Sequence, residues 1–337
     1  MSGKLLVLAI IMLLMVSTAS GTTSKMGTAG ATELRIPVGT RSTGMAGAVA
    51  GDVRGTEALF WNPAGAVSIE GTDAYISYRS YIGDMYVTYV GVVSRFSYGA
   101  IGVSAKVLSL GDIYVTTETA WEGTGEVYSI NIPVLGLTYA IDLTDRVYFG
   151  ITGMYFSEKI MDTQASGLAF DLGFQYLVPW RTLKLGLVMK NYGRRISYSG
   201  AGFEYAVQVP GDDPEAAPRI MSLSSAPFEL PSYFQIGLSY TWEFANNRSF
   251  ILNGDFQSNN FSDDEWRLGG EYNFNDTFYL RGGYVFCSQA EYLYGPALGL
   301  GARFELGNTV TTIGYTHTFV SSYFDDVPEI SVRFEIK

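Results

Sequence analysis

The chain has 337 residues, of which 47% are hydrophobic, 15% aromatic and only 16% charged, and its formal net charge is −11. That acidic balance excludes nucleic acid as a partner, since a polyanion repels it. The first residues aside, no apolar run is long enough for a membrane helix, so a helical membrane protein is excluded too.

Lys4 precedes an apolar run over residues 5–16, and Ser17, Thr18, Ala19, Ser20 and Gly21 follow it. A positive start, a short apolar stretch and small residues predict a secretory signal peptide over 1–20, cleaved near Ala19. The run is too short to span a bilayer as a helix. No cysteine follows it, which argues against a lipoprotein. The single cysteine, Cys287, permits no intrachain disulfide and reads as a small apolar strand residue.

Residues 21–71 are rich in Gly and Ala and do not alternate. Within them stand Gly39, Arg41, Ser42, Gly44, Met45 and Gly47, and then Trp61, Asn62, Pro63, Ala64 and Gly65. Thr56 is positioned to cap a short helix, and Asn62-Pro63 to stop it. A compact segment just ahead of the first strand predicts a hatch, or plug, in a lumen behind it.

From about residue 72 the chain repeats ten residues of alternation and a turn. Phe234, Ile236, Leu238, Tyr240, Trp242 and Phe244 share one face, and so do Trp266, Leu268, Gly270, Tyr272 and Phe274. Period two is the strand signature. Apolar faces that end in aromatics match interfacial girdles. Short connections at 142–145, 179–180, 246–247, 275–276 and 307–308 alternate with longer ones at 111–125, 193–229, 258–264, 288–292 and 320–329. Short turns on one rim and long loops on the other are the rule for outer-membrane barrels. The predicted strands are 73–81, 85–96, 99–109, 126–141, 145–158, 165–178, 181–191, 231–244, 248–258, 265–274, 277–287, 294–306, 309–319 and 329–337. The reading is therefore an all-β, transmembrane antiparallel barrel of about 14 strands over 72–337, in the outer membrane of a Gram-negative-type envelope. Residues 85–96 alternate poorly, as a strand touching a plug would. The loop 193–229, with Asp212, Asp213, Glu215 and four prolines, is expected to fold over the outer surface.

The tract Gly-x-Arg-Ser-x-Gly-Met-x-Gly-Ala from Gly39, followed by Trp61-Asn62-Pro63-Ala64-Gly65, resembles the N-terminal signature of PorV/PorQ-type outer-membrane proteins, within the broader FadL-like transporters of hydrophobic compounds. The match covers about residues 37–67; beyond it the likeness is one of architecture. The family often carries paired acidic residues before the helix, whereas here Asp52 stands alone and Arg54 is added. The resemblance implies either of two activities. One is a cargo-binding or accessory component of type IX-like protein secretion, with secreted proteins and other secretion components as partners; the motif wording and chain length favour it. The alternative is a passive channel for hydrophobic small molecules such as long-chain fatty acids, whose hatch shifts and whose wall lets ligand leave sideways. A structural or adhesive surface barrel is a third reading.

Pro133 lies inside the fourth predicted strand and cannot donate to the ladder. It predicts a local gap or kink beside the third strand, or a bulge where water supplies the bond. Enzyme chemistry finds no support. The only histidine, His317, is flanked by Thr316 and Thr318, which point to the other face. The pairs Asp212-Asp213, Asp263-Asp264 and Asp325-Asp326 fall in loops without spaced metal-ligand patterns, and no cofactor motif appears.

Overall fold

The structure, a computed structural model, describes residues 25, 27–208, 211, 217–288, 292–321 and 324–336. The expected signal peptide over 1–20 and the acidic residues Asp212, Asp213 and Glu215 lie outside those residues.

Fourteen strands close into an antiparallel barrel. In chain order they are β1 (Thr72–Ser80), β2 (Tyr86–Phe96), β3 (Gly99–Tyr114), β4 (Val127–Thr144), β5 (Val147–Ile160), β6 (Thr163–Leu177) and β7 (Lys184–Gly193), then β10 (Tyr233–Phe244), β11 (Arg248–Asn259), β12 (Glu265–Phe274), β13 (Phe278–Cys287), β14 (Tyr294–Leu306), β15 (Thr309–Val320) and β16 (Val327–Ile336). Pairing of β1 with β16 closes the sheet, so no edge is left. The loop after β7 is more ordered than the sequence suggests. It folds into a two-stranded hairpin, β8 (Glu204–Val207) with β9 (Arg219–Ser222).

Alternation sorts side chains inside out relative to a soluble sandwich. Lumen-facing and buried are Ser77, Arg79, Lys106, Thr152, Asp171, Gln235, Asp255, Glu271, Arg281 and Glu329, while Val103, Leu135, Leu137, Leu168, Leu280, Leu298, Leu300 and Ile313 are exposed on the outer wall. Exposed aromatics form two belts. Phe96, Tyr98, Phe244, Phe274, Phe278 and Phe304 lie toward the short-turn rim, and Tyr78, Tyr86, Tyr284 and Phe286 toward the long-loop rim. An apolar outside flanked by aromatic belts around a polar inside is the arrangement a bilayer demands.

Two element boundaries differ from expectation. Residues 111–114, expected in a loop, continue β3, because the register of β3 on β4 shifts between Ser109 and Asp112, with Gly111 at φ 77°. The inserted residues mask the alternation. The second strand alternates poorly because both its faces are apolar: Val87, Tyr89 and Val93 point inward onto the N-terminal segment rather than into water.

That segment descends from the long-loop rim to the start of β1. It contains a turn of 3-10 helix over Thr32–Arg35, then α1 (Thr40–Gly44), a second 3-10 turn over Gly55–Glu57, α2 (Ala58–Trp61) and a third over Pro63–Val67. Thr56 does not cap a helix, contrary to the sequence reading. Its hydroxyl donates to the Asp73 carbonyl at 3.0 Å and its amide to Asp73 Oδ2 at 2.7 Å, which ties the segment to β1. Val38, Met45, Val49, Ala58, Leu59 and Ala66 are buried among inward side chains of the barrel.

Candidate functional site

The residues of the N-terminal motif converge inside the barrel. Gly39 adopts φ 97° and its amide donates to Glu329 Oε1 at 2.7 Å; a Cβ there would fall 2.7 Å from the Glu57 carboxylate. The same Glu57 accepts from the Ser42 amide at 3.0 Å and from the Ser42 hydroxyl, so a buried carboxylate satisfies the start of α1. A Cβ on Gly44 would lie 3.3 Å from the backbone of Gly299, and Met45 is fully buried. A Cβ on Gly47 would strike Arg267 and Trp61. Trp61 Nε1 donates to the Val38 carbonyl at 2.8 Å.

Asn62 carries the most specific contacts. Its amide donates to the carbonyls of Ala50 (2.7 Å) and Phe174 (3.1 Å), and its oxygen accepts from Ala64 N–H at 3.2 Å. Pro63 and Ala64 lie against Gly150, and Asn62 against Gly173; a Cβ on either barrel glycine would come within 2.3 Å of the segment. Gly65 likewise stands where a Cβ would meet the Val53 carbonyl. The motif and inward strand glycines therefore fit as a pair.

Arg41 anchors a chain of buried charges. Its guanidinium reaches Asp52 at 2.5 Å and Glu271 at 3.1 Å; Asp52 also binds Lys184 at 2.7 Å, and Glu271 binds Arg281 at 2.6 Å. Burial opposes ionisation of Asp52, but Arg41 and Lys184 overcome it and hold its carboxyl well below the usual range. The lone acidic residue of the tract is thus fully engaged, and Glu271 from β12 supplies the second carboxylate.

Above this layer a cavity of about 400 Å3 remains open toward the long-loop rim. Phe60, Trp61, Tyr81, Tyr233, Phe261 and Tyr294 line it, with Arg35, Arg79 and Arg267 among them. Each arginine has a carboxylate partner: Arg35 and Arg267 share Glu265, and Arg79 pairs with Glu329 at 3.1 Å. Each charge is thus paired, and the free surface of the cavity is mainly apolar, with the aromatic rings among its lining.

Pro133 marks a break in the wall, on the other side from the one expected. Its ladder with β3 is continuous, through Val107↔Pro133 and Leu108↔Ile132. The β4–β5 ladder, in contrast, runs from Thr144↔Val147 up to Val134↔Phe156 and stops. Above it, 127–133 pair only with β3, and 157–160 only with β6. The proline removes the amide that would extend the pairing. Tyr128 Oη accepts from the Met161 amide at 2.5 Å across the top of the split. A strap formed by residues 29–36 covers the inside, with Leu34 packed on Val134 and Phe156. Lys106 Nζ donates to the carbonyls of Glu33 (2.8 Å), Leu34 (3.2 Å) and Ile36 (3.2 Å). Burial, with the adjacent Glu158 carboxyl, raises the Glu33 pKa to about 8, and Glu158 also accepts from Tyr198. Thr32, Arg35 and Ile36 of the strap face the cavity, so the strap partitions cavity from split.

Sequence reading missed Glu33, Glu57, Lys106 and Glu329. The available signal was a charged residue inside an otherwise apolar strand or helix, which has to face a partner. His317 lies near the rim, 2.9 Å from Asp326, and takes no part in the cavity. Asp264 and Asp326 accept backbone amides of Asn259 and Val320 and close their turns. Among the described residues no cluster of three or more metal-ligating side chains occurs.

No family model and no curated protein matches the sequence. The fold is nevertheless that of FadL-like hydrocarbon channels. The chain is similar to the CymD monoaromatic hydrocarbon channel (14% identity, TM-score 0.54, covering 88% of this chain and 96% of that one). It is similar to the Pseudomonas putida toluene transporter TodX (12%, 0.56, 88% and 96%) and to a Pseudomonas aeruginosa FadL homologue (15%, 0.54, 89% and 98%). At these identities the likeness is one of fold.

Proposed function

We propose that the protein is a passive outer-membrane channel for hydrophobic small molecules, with residues 29–71 as its hatch. The observation that carries this reading is the aromatic cavity between the long-loop rim and the N-terminal segment, next to a split wall. Such a cavity suits a ligand that gains by leaving water and needs few polar contacts. The named neighbours transport toluene or monoaromatic hydrocarbons, which makes a neutral aromatic the first substrate to try, with a long-chain fatty acid as the second. The motif around Asn62 fastens the hatch, and the strap is the part that moves. Diffusion down a gradient needs no cofactor, and no chemical step is required of any residue.

Uptake by cells with an otherwise intact outer membrane tests the reading. Expression should raise entry of radiolabelled toluene, and Thr318→Trp, which fills the cavity from β15, should lower it by roughly tenfold. Equal uptake with and without the protein for both toluene and the fatty acid would refute the channel.

A further inference from the structure

The wall is split in a second place, and there no strap intervenes. The β13–β14 ladder pairs Phe278↔Ala302 through Gly283↔Ala297 and then ends. Continued, the same register would set Tyr284, Val285 and Phe286 against Pro296, Gly295 and Tyr294. None of these pairs forms, although β13 stays paired with β12 up to Glu265↔Cys287. Pro296 lacks the amide to continue the ladder, and on its other side β14 bulges between Tyr294 and Ala297 against β15. A closed barrel in lipid has no spare edge, so two adjacent strands leaving register at a proline is a built feature rather than fraying at a tip.

A cleft of about 470 Å3 occupies the split. It touches both faces of β13: Tyr284 and Phe286, which are 43% and 52% exposed on the outer wall, and Val285 and Cys287, which point inward. Pro296 and Phe319 complete its outer lip. Val285, Cys287, Leu293, Tyr294 and Gly295 line this cleft and the lumen cavity alike, so one layer of side chains separates them. Tyr294 in that layer is held by a 2.7 Å hydrogen bond to Tyr81.

We infer that the β13–β14 split is a second lateral window, through which the cavity exchanges hydrophobic small molecules with the lipid-exposed wall on the far side of the barrel from Pro133. The occupant is a neutral aromatic molecule already dissolved in the membrane. The outer lip presents Tyr284, Phe286, Pro296 and Phe319 beside Val320 and Ser321, at the level of the exposed aromatic belt where such a molecule partitions. The two windows then differ in kind. The split at Pro133 is closed by the strap and Lys106, and the split at Pro296 only by Tyr294 and its neighbours. The inference rests on reading the cavity as a ligand site, and its test separates the two.

Benzophenone, a hydrophobic aromatic photoprobe, is dissolved in the lipid of vesicles holding the full-length protein, and its adducts are mapped by mass spectrometry. Adducts are expected on Phe286 and Phe319 at the lip and on Tyr294 and Tyr233 inside, competed by excess naphthalene. Gly295→Phe should plug the cleft and lower the inner adducts by roughly tenfold; a Cβ at Gly295 would meet Phe319 no closer than ordinary van der Waals contact. Pro296→Val, which returns an amide to the ladder, serves as a second variant if the first does not fold, as judged by heat-modifiable migration. Inner adducts that persist unchanged in the folded variant would overturn the window while leaving the cavity standing. Lip adducts without inner ones overturn the window too. A lumen free of adducts in the wild type and with the probe added from water would overturn the reading of the cavity itself.

Discussion

Arg41 joins a row of alternating charges that runs from Lys184 through Asp52 and Glu271 to Arg281. Removing one member of a buried pair leaves its partner charged and desolvated, which costs about 3 kcal/mol or more. Arg41→Met should therefore loosen residues 40–65 from the barrel without opening the barrel itself. Limited proteolysis between Gly44 and Gly55 combined with intact heat-modifiable migration would show this; equal loss of both would contradict it. The depressed Asp52 pKa implies that this fastening is complete above the ordinary carboxylate range and fails only as pH falls far into acid. Glu33 has the opposite sign. Its raised pKa means that the docked strap binds a proton more tightly than the released strap. Docking is then strongest below the ordinary value of 4.5, weakens as pH rises toward about 8 and is level beyond. Amide exchange of residues 29–36, corrected for intrinsic rates, should quicken across that interval in the wild type and stay flat in Glu33→Gln.

At the scale of elements, the strands explain where the chain sits, and their interruptions mark where the proposed lateral exits lie. The upper turn of β5, residues 157–160, has a partner on one side only. Its amides should exchange faster than those of 147–156, and Pro133→Val should slow them by allowing the ladder to extend. Unchanged exchange in that variant would separate the proline from the split. Period two was readable along most strands because each has lipid on one face and polar groups on the other. It failed at 85–96, where the inner face meets an apolar segment, and at 111–114, where inserted residues at Gly111 reset the phase. Pro133 was legible as an interruption, but which neighbour it parts from depends on register, and register is set by turns and partners distant in sequence. Pro296 carries the same signal less legibly, because it lies near a strand end where proline is ordinary. The inward glycines Gly150 and Gly173 were equally visible, yet their meaning needed the segment that lies on them.

At the scale of the whole molecule, lipid outside and a filled lumen inside divide the surface into two regimes. Leu137 is 61% exposed on the outer wall. Leu137→Lys should cost about 2–4 kcal/mol in a bilayer, the toll for a charge on the lipid face of a barrel, as read by urea titration of folding into vesicles; a cost near zero would move the lipid boundary. The apolar wall and the polar lumen put the functional question inside the barrel, in the proposed ligand cavity under the long-loop rim. A structure of the protein with 4-bromotoluene, phased on the bromine, addresses it most directly. This account requires a bromine peak in the lumen among Phe60, Trp61 and Tyr233. Bromine found only on the lipid-facing wall, with an empty lumen at saturating ligand, would contradict it.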